Sequence, residues 1–379
     1  MQGPKNIHTQ AYVVQSKGAP FELQDVVLDE IRPNEVLVEM KYTGVCHTDI
    51  VVQHGGMPIG NYPAVLGHEG MGIVRWIGSA VRKPLVINDM VCLSFNSCGK
   101  CRACENGECG SCPRMTDINF LNTVRGPGSS PISLIDGTPV HGQFFGQSSL
   151  SRMAVVAETS VVQVDARPEE MPFIAPLGCG YLTGSGTVLN VLAPHPECSI
   201  VVLGMGAVGL AALMAAKALG LKKTVAVDLL EEKLETASAL GASDTINTSE
   251  SDLGITLREI LPAGADCIVD TTGSPALLDT SVQSLAHNGT LALVGVPSPQ
   301  ATLNINTLDL LLSCKRIVGV IEGCSNPQAL IPQLLLLFRE GKFPIDRLAK
   351  LYPADQLPQA IEDLKSGSVI KPIISWGDA

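Results

Sequence analysis

The sequence predicts an α/β protein of two domains, a β-rich domain followed by a doubly wound parallel sheet. The chain has 379 residues, which is more than a typical single domain needs and is enough for two cores. Up to about residue 165, short strand-like runs are separated by Gly, Pro and Asn. After Cys198, short apolar strands alternate with helical segments, which is typical of a parallel sheet covered by helices.

The composition indicates a globular protein that binds neither nucleic acid nor membranes. Hydrophobic residues make up 45% of the chain and charged residues 17%. The 26 Lys and Arg against 37 Asp and Glu give a net charge of −11, which repels phosphate backbones and anionic lipids. The most apolar stretch, 200–216, is too short for a bilayer span, and the polar start has no signal-peptide core. We therefore expect a cytoplasmic protein.

The predicted catalytic domain covers residues 1–180 and is completed by residues 323–379. Its predicted strands include 35–45, 70–77 and 153–164. The segment 122–146 is rich in Gly and Pro and is predicted to be a long irregular loop. After two helical segments, 326–341 and 356–367, a strand-like segment at 371–376 could rejoin the first domain.

The predicted second domain covers residues 181–322. Its strands are expected at 199–203, 224–228, 265–271 and 289–296. Gly204, Gly206 and Gly209 follow the first of these strands, and Ala207 and Val208 lie between them at the start of a helical run. In such a turn the glycines permit a tight bend, close approach of a pyrophosphate, and packing of helix on strand. The segment therefore predicts a dinucleotide site at the helix N-terminus.

The end of the next strand predicts which dinucleotide binds. Asp228 lies about the expected distance beyond the glycines, where a carboxylate accepts hydrogen bonds from both ribose hydroxyls. A carboxylate would repel a 2′-phosphate, so NAD(H) is favoured over NADP(H). Lys222, Lys223 and Lys233 lie nearby and could weaken this discrimination.

The loop 95–114 carries a dense cysteine cluster. Cys98, Cys101, Cys104 and Cys112 can converge tetrahedrally on zinc with no open position, which is typical of a structural site. Disulfides between residues three apart would be strained. Cys109 is a fifth thiol in the same loop, so the spacing does not decide which four bind.

A second set of metal-binding residue types is dispersed along the chain. Cys46, His68 and Cys179 could each be an ordinary buried residue when taken singly. Together they form a three-ligand zinc site whose fourth position is free for water or substrate, which is the catalytic arrangement. The neighbouring Asp49 and Glu69 could orient the imidazole and moderate the charge of the metal.

In this order, these motifs resemble those of the zinc-dependent medium-chain alcohol dehydrogenases over essentially the whole chain, most closely the aryl alcohol dehydrogenase branch. The resemblance implies a GroES-like catalytic domain, a Rossmann domain, two Zn²⁺ per chain and a homodimer joined through the strand-like run 316–320. It implies that Thr48 contacts the substrate oxygen and that His47 lies near the pyrophosphate. The implied cofactor contacts are Thr183 and Val208 at the nicotinamide, Asp228 and Lys233 at the ribose, Lys371 at the pyrophosphate, and also Gly273 and Val296.

The chain departs from the family pattern at one place. Many members carry a histidine shortly after the segment that corresponds to 46–49, and this histidine is the outer end of a proton relay. This chain has Ile50, Val51 and Val52 there. Because His54 is offset from that position, solvent or His47 is expected to take the proton. Candidate residues for the substrate pocket are Phe95, Leu121, Phe144 and Phe145, and aromatic walls suit an aromatic or allylic primary alcohol.

Two other interpretations use the same motifs. One is an NAD(P)H-dependent quinone or enone reductase of the same fold without catalytic zinc. The other is a protein that is not an enzyme, in which the cysteine loop is an interaction module and the nucleotide domain a redox sensor. The three dispersed ligands argue against the first interpretation, and metal analysis separates both from the dehydrogenase.

Overall fold

A computed structural model of the chain describes residues 3–57, 59–126 and 129–377. Residues 127 and 128, which belong to the predicted loop 122–146, lie outside the described residues. The strands are β1 (Ile7–Val14), β2 (Phe21–Leu28), β3 (Glu35–Gly44), β4 (Ala64–Val65), β5 (Gly70–Ile77), β6 (Met90–Leu93), β7 (Ile132–Leu134), β8 (Pro139–Val140), β9 (Met153–Ala157), β10 (Val161–Gln163), β11 (Ser199–Leu203), β12 (Lys223–Asp228), β13 (Asp244–Asn247), β14 (Ala265–Asp270), β15 (Leu285–Leu293), β16 (Arg316–Gly319), β17 (Ala349–Pro353) and β18 (Lys371–Ser375).

Helices connect these strands. The α-helices are α1 (His47–Gln53), α2 (Arg102–Glu105), α3 (Met115–Asn119), α4 (Met171–Ile174), α5 (Gly180–Gly186), α6 (Ala207–Ala218), α7 (Glu231–Ala239), α8 (Leu253–Ile260), α9 (Pro275–Ser284), α10 (Thr307–Leu312), α11 (Pro327–Arg339) and α12 (Leu357–Ser366). A π-helical segment, Thr187–Leu192, follows α5. Short 3-10 turns lie at Cys109–Ser111, Phe144–Gly146, Glu158–Ser160, Pro168–Glu170, Ala175–Gly178, Glu322–Cys324, Ile345–Leu348 and Ala354–Gln356.

The chain divides into two units. The first unit comprises residues 1–179, 326–335 and 345–379, and the second comprises 180–325 and 336–344. The domain prediction assigned 336–344 to the catalytic domain, whereas these residues group with the second unit.

The first unit contains two sheets. One has the strand order β4-β1-β2-β7-β8. The other has the order β10-β6-β5-β3-β18-β17, and β9 also pairs with β3. The buried apolar residues of β1 and β2 pack with Ile132, Val140 and Val155 in one core cluster. As predicted, the C-terminal strand returns to the first unit, because β18 pairs antiparallel with the end of β3.

The second unit is built on a parallel sheet with the order β13-β12-β11-β14-β15-β16. The four strands predicted for this domain correspond to β11, β12, β14 and β15. Their apolar side chains and those of α8 and α9 form one buried cluster. This order reverses direction between β11 and β14, which is where doubly wound sheets bind their ligands. The predicted α/β fold class is confirmed.

Two predictions for the β-rich half are wrong in part. The segment 122–146 contains the hairpin β7–β8, in which Ile132 and Val140 face the core while Pro139 lies at the edge. The predicted strand 153–164 is interrupted at Glu158, whose carboxylate accepts hydrogen bonds from the backbone N–H groups of Arg82 and Lys83. None of the helices in the described ranges combines the length and the hydropathy that a bilayer span requires.

Candidate functional site

The three dispersed metal-ligand candidates meet in the first unit. Cys46 precedes α1, His68 lies just before β5, and Cys179 follows the turn Ala175–Gly178. One donor atom from each of these residues and one from Glu69 lie within 4.8 Å of one another. Cys179, His68 and Glu69 are buried and Cys46 is half-buried. The structure therefore brings together the side chains predicted to form the catalytic metal site.

Asp49 connects two of these ligands. Its Oδ1 accepts hydrogen bonds from Nδ1 of His68 and from the backbone N–H of Gly67, each at 3.0 Å. Its Oδ2 accepts from the backbone N–H of Cys46 at 3.2 Å. This arrangement fixes the orientation of the imidazole. The other ring nitrogen, Nε2, is buried and has no hydrogen-bond partner within the described residues. A buried nitrogen of this kind beside two thiols is what a metal-binding histidine offers.

The charges of the site favour a bound cation. The hydrogen bond from Cys179 lowers the pKa of Cys46 well below its ordinary value, and the charges of His68 and Lys371 act in the same direction. Burial alone would lower the pKa of His68, but Asp49 and Cys46 outweigh it and raise that pKa. The thiolate is the form of cysteine that binds metal. Two sulfurs and one imidazole nitrogen are therefore a donor set that fits zinc.

Glu69 is held by Lys371 from the C-terminal strand. Lys371 is buried, and its Nζ donates to both carboxylate oxygens of Glu69 at 2.9 Å and to the carbonyl oxygen of Val45 at 3.3 Å. Burial raises the pKa of Glu69, and the nearby ammonium opposes this shift only in part. The ammonium of Lys371 therefore contacts acceptors around the candidate metal site, and its predicted contact with the cofactor pyrophosphate stays a prediction.

Aromatic rings surround His68. The ring of Phe145 stacks on the imidazole with centroids 4.7 Å apart, and Phe144 meets it edge-on at 5.6 Å. Phe120 packs against both phenylalanines at 5.0 and 5.7 Å, although sequence reasoning did not select it. Of the other pocket candidates, Phe95 is buried and Leu121 is 37% exposed. The metal site therefore has an apolar, aromatic wall.

The residues predicted to carry the proton begin α1. Thr48 is half-buried and His47 is exposed. Val51, in place of the relay histidine, is half-buried. His54 lies at the end of the helix, where its Nδ1 is 2.9 Å from the carbonyl oxygen of Ile50. The route of the proton through Thr48 stays a prediction.

The cysteine loop forms a second cluster in the first unit. Sulfur atoms of Cys101 and Cys104 are 3.5 Å apart, those of Cys98 and Cys104 3.9 Å, and those of Cys101 and Cys112 4.0 Å. All four lie within 4.8 Å of one another, and Cys109 is outside this group. Burial would raise the pKa of Cys98, but the backbone N–H of Lys100 and its neighbours lower it to about 7. Four convergent thiols fit a closed zinc site.

The glycine turn of the second unit has the geometry that its sequence predicts. Gly204 has φ +88°, which favours glycine, and it connects β11 to α6. A Cβ on Gly206 would meet nothing within 4 Å, so the backbone is open to a ligand there. A Cβ on Gly209 would lie 1.8 Å from the carbonyl oxygen of Gly204, so only glycine permits this packing. Together with the N-terminus of α6, the turn fits a pyrophosphate.

Asp228 lies beside this turn at the end of β12. Its Oδ2 accepts from the backbone N–H of Met205 at 2.7 Å, and its Oδ1 accepts from Leu229 and Leu230 at 2.8 and 3.0 Å. These bonds fix the orientation of the carboxylate. Lys233 is half-buried on the following helix α7.

The remaining cofactor candidates lie on neighbouring elements of the second unit. Thr183 lies on α5 and Val208 on α6, and the two helices pack closely, since a Cβ on Gly184 would lie 2.0 Å from the carbonyl oxygen of Val208. Gly273 and Val296 belong to the segments after β14 and β15, which also approach closely. The hydroxyl of Thr183 donates to Oε2 of Glu322 at 3.2 Å. Glu322 is a buried acid beside this candidate that the sequence did not suggest.

Family models match both halves of the chain. Residues 32–166 match the alcohol dehydrogenase GroES-like domain, and residues 207–338 match the zinc-binding dehydrogenase model. The chain is 38% identical over 372 residues to a geraniol dehydrogenase of Castellaniella defragrans, covering 97% of this chain and 98% of that protein.

Two solved structures match the fold over 97% of the chain. A zinc-binding alcohol dehydrogenase domain protein from Burkholderia ambifaria has a TM-score of 0.93 at 38% identity, with 97% of this chain and 99% of that chain covered. The benzyl alcohol dehydrogenase of Acinetobacter calcoaceticus has a TM-score of 0.91 at 39% identity, with the same coverage.

Proposed function

Because the chain belongs to the zinc-dependent medium-chain alcohol dehydrogenase family, oxidoreductases that act on alcohols with zinc and a nicotinamide cofactor, we propose that it interconverts a primary allylic or aromatic alcohol and its aldehyde. The observation that carries this proposal is the convergence of Cys46, His68 and Cys179 in a buried aromatic site. The cofactor is proposed to be NAD(H).

The two donor sets support two zinc ions per chain. Cys46, His68 and Cys179 would hold the catalytic ion, and Cys98, Cys101, Cys104 and Cys112 would hold a structural one. Bound zinc supplies Lewis acidity toward the alcohol or aldehyde oxygen, and bound nicotinamide supplies the hydride acceptor or donor. The structural set contributes folding free energy to a loop with few apolar residues.

The surrounding residues of the chain orient these groups. Asp49 fixes the imidazole through Nδ1 and holds the backbone at Cys46, so both ligands keep one geometry. The Thr48 hydroxyl, half-buried at the start of α1, would accept the alcohol proton and pass it outward. Phe120, Phe144 and Phe145 exclude water around His68.

Support for NAD(H) comes from the fixed carboxylate of Asp228 beside the glycine turn. A second negative group, a 2′-phosphate, would be repelled there. Two of the relatives are named for geraniol and benzyl alcohol, and the aromatic wall beside His68 suits flat, unsaturated substrates of this kind. The convergence of three ligands disfavours a zinc-independent quinone or enone reductase, and the family excludes the non-enzymatic alternative.

A homodimer in the cytoplasm completes the proposal. The strand β16 lies at the edge of the parallel sheet, and the short helix α10 before it exposes Leu308, Leu311 and Leu312 by 61%, 71% and 68%. An open edge beside exposed leucines is a self-complementary surface that a second copy could cover.

Metal analysis combined with an absorbance assay tests the function. The purified protein should contain two zinc ions per chain and should reduce NAD with cinnamyl or benzyl alcohol, with the reverse reaction from the aldehydes. Cys46→Ser should leave one zinc, abolish turnover and retain NADH binding. Cys101→Ser should also leave one zinc but mainly lower the unfolding temperature. Turnover by Cys46→Ser, or wild-type protein with one zinc, would refute the proposed metal chemistry.

A further inference from the structure

A buried acid contacts the predicted nicotinamide end of the cofactor site. Glu322 is 7% exposed, and its Oε2 accepts a hydrogen bond from the hydroxyl of Thr183 at 3.2 Å. Both residues belong to the second unit. The family resemblance gives Thr183 a contact with the nicotinamide, whereas no motif of the sequence gives Glu322 a role.

The turn that carries Glu322 has an unusual backbone. Glu322, Gly323 and Cys324 have φ values of +50°, +59° and +48°, so three consecutive residues lie in the left-handed region. This conformation is easy for glycine but is strained for the two other residues, whose Cβ atoms crowd the following carbonyl oxygen. Such strain persists only where the surroundings impose it, and it is concentrated at functional sites.

Contacts with the α5 segment impose this conformation. A Cβ on Gly323 would lie 2.7 Å from the Cα of Gly186 and 2.8 Å from the carbonyl oxygen of Leu182. Nδ2 of Asn190 donates to the carbonyl oxygen of Gly323 at 3.2 Å and to Oγ of Ser325 at 3.1 Å. The turn is therefore held directly against the helix that carries Thr183, and its backbone directs Glu322 to that hydroxyl.

We propose that Glu322 is a positioning residue that fixes the hydroxyl of Thr183 for binding of the nicotinamide end of the cofactor. A threonine hydroxyl has one hydrogen to donate and two lone pairs. Donation to Glu322 sets the direction of that hydrogen, and the lone pairs and the methyl group then have one orientation toward a ligand. This inference rests on the proposed function, because the contact of Thr183 with nicotinamide comes from the family resemblance.

Calorimetric titration with NADH and with ADP-ribose, which lacks nicotinamide, tests the proposal without turnover. Glu322→Ala and Thr183→Val should each raise the dissociation constant for NADH about three- to tenfold, as expected for loss of one hydrogen bond. Binding of ADP-ribose should stay within about twofold. The double variant should bind NADH no more weakly than either single variant, because both changes remove the same interaction.

Matched variants separate positioning from stability. Glu322→Gln keeps an acceptor oxygen and should bind NADH nearly as the wild type does, and Glu259→Ala, at an exposed acid on α8, should have no effect. Unchanged NADH affinity in Glu322→Ala, equal weakening of ADP-ribose, or additive losses in the double variant would overturn the proposal. Failure of the wild type to bind NADH would instead contradict the proposed function itself.

Discussion

Lys371 donates to both carboxylate oxygens of Glu69 at 2.9 Å although the two residues are 302 positions apart in sequence. Their side chains are 3% and 0% exposed. The pair exists because β18 joins β3 at the position where the chain leaves the sheet toward Cys46. The C-terminal strand thus places a cation next to the candidate metal ligands.

The first prediction concerns this buried pair. Lys371→Met leaves the carboxylate of Glu69 buried without its main cation, so the free energy of unfolding should fall by about 3–5 kcal/mol. Lys371→Met combined with Glu69→Gln removes both charges and should recover most of that loss. Guanidinium unfolding of both zinc-loaded variants measures the difference. A double variant no more stable than Lys371→Met would show that the pair does not act as described.

The second prediction concerns Asp228 and cofactor choice. Asp228→Asn keeps one acceptor oxygen, which can still accept from the backbone N–H groups of Leu229 and Leu230 but not from that of Met205, and it removes the negative charge. We expect the preference for NAD over NADP to fall about tenfold, because repulsion of the 2′-phosphate is lost. The ratio of kcat/KM values for the two cofactors measures this effect.

A matched acid serves as the control for Asp228. Asp244 lies on the neighbouring strand β13, where it pairs with Lys223 at 2.8 Å. Asp244→Asn should leave the cofactor ratio unchanged. An equal change in both variants would assign the effect to the general charge of the surface.

Local order along the chain explains which parts of the site could be predicted. Gly204 and Asp228 are recognisable because strand, turn and helix follow one another within about 25 residues. Cys46, His68 and Cys179 are ambiguous singly and acquire meaning only as a set. Their residue types taken together indicated the chemistry, although no spacing pattern connects them.

Contacts between distant segments explain what was missed. The pairing of Lys371 with Glu69 depends on the register of β18 against β3. The contact of Phe120 with the rings around His68 depends on how two loops pack. Glu322 lies in a turn whose backbone is set by close contact with α5, and the sequence Glu-Gly-Cys does not itself indicate that conformation.

The third prediction concerns the proposed dimer surface. Leu311 is 71% exposed on α10, next to the open edge strand β16. Leu311→Glu would place a charge in the interface, so sedimentation should show a dimer for the wild type and a monomer for the variant. Val86→Glu is a suitable control because Val86 is 61% exposed elsewhere, in the first unit. A variant Leu311→Glu that stays dimeric would place the interface on another surface.

The fourth prediction concerns acid stability. Burial lowers the pKa of His141 to about 4, and the backbone contact with Phe120 opposes this shift only in part. Its Nε2 is buried without a hydrogen-bond partner in the part of the chain that the structure describes. In the unfolded chain the imidazole has a pKa of about 6.5. Between pH 4 and pH 6.5 the unfolded state binds more protons than the folded state. The contribution of neutral His141 to the free energy of unfolding is therefore complete above pH 6.5 and declines as the pH falls toward 4.

His141→Gln removes this titration while keeping a neutral polar side chain of similar size. Between pH 7 and pH 5 the wild type should lose about 1–2 kcal/mol more unfolding free energy than the variant. Both proteins carry the same cysteines, so acid effects on the proposed zinc sites cancel when the pH dependence of the unfolding free energy is compared between wild type and variant. Urea unfolding at both pH values measures this dependence. If the two proteins lose unfolding free energy equally with falling pH, the folded protein accommodates a protonated His141, contrary to the burial of its Nε2.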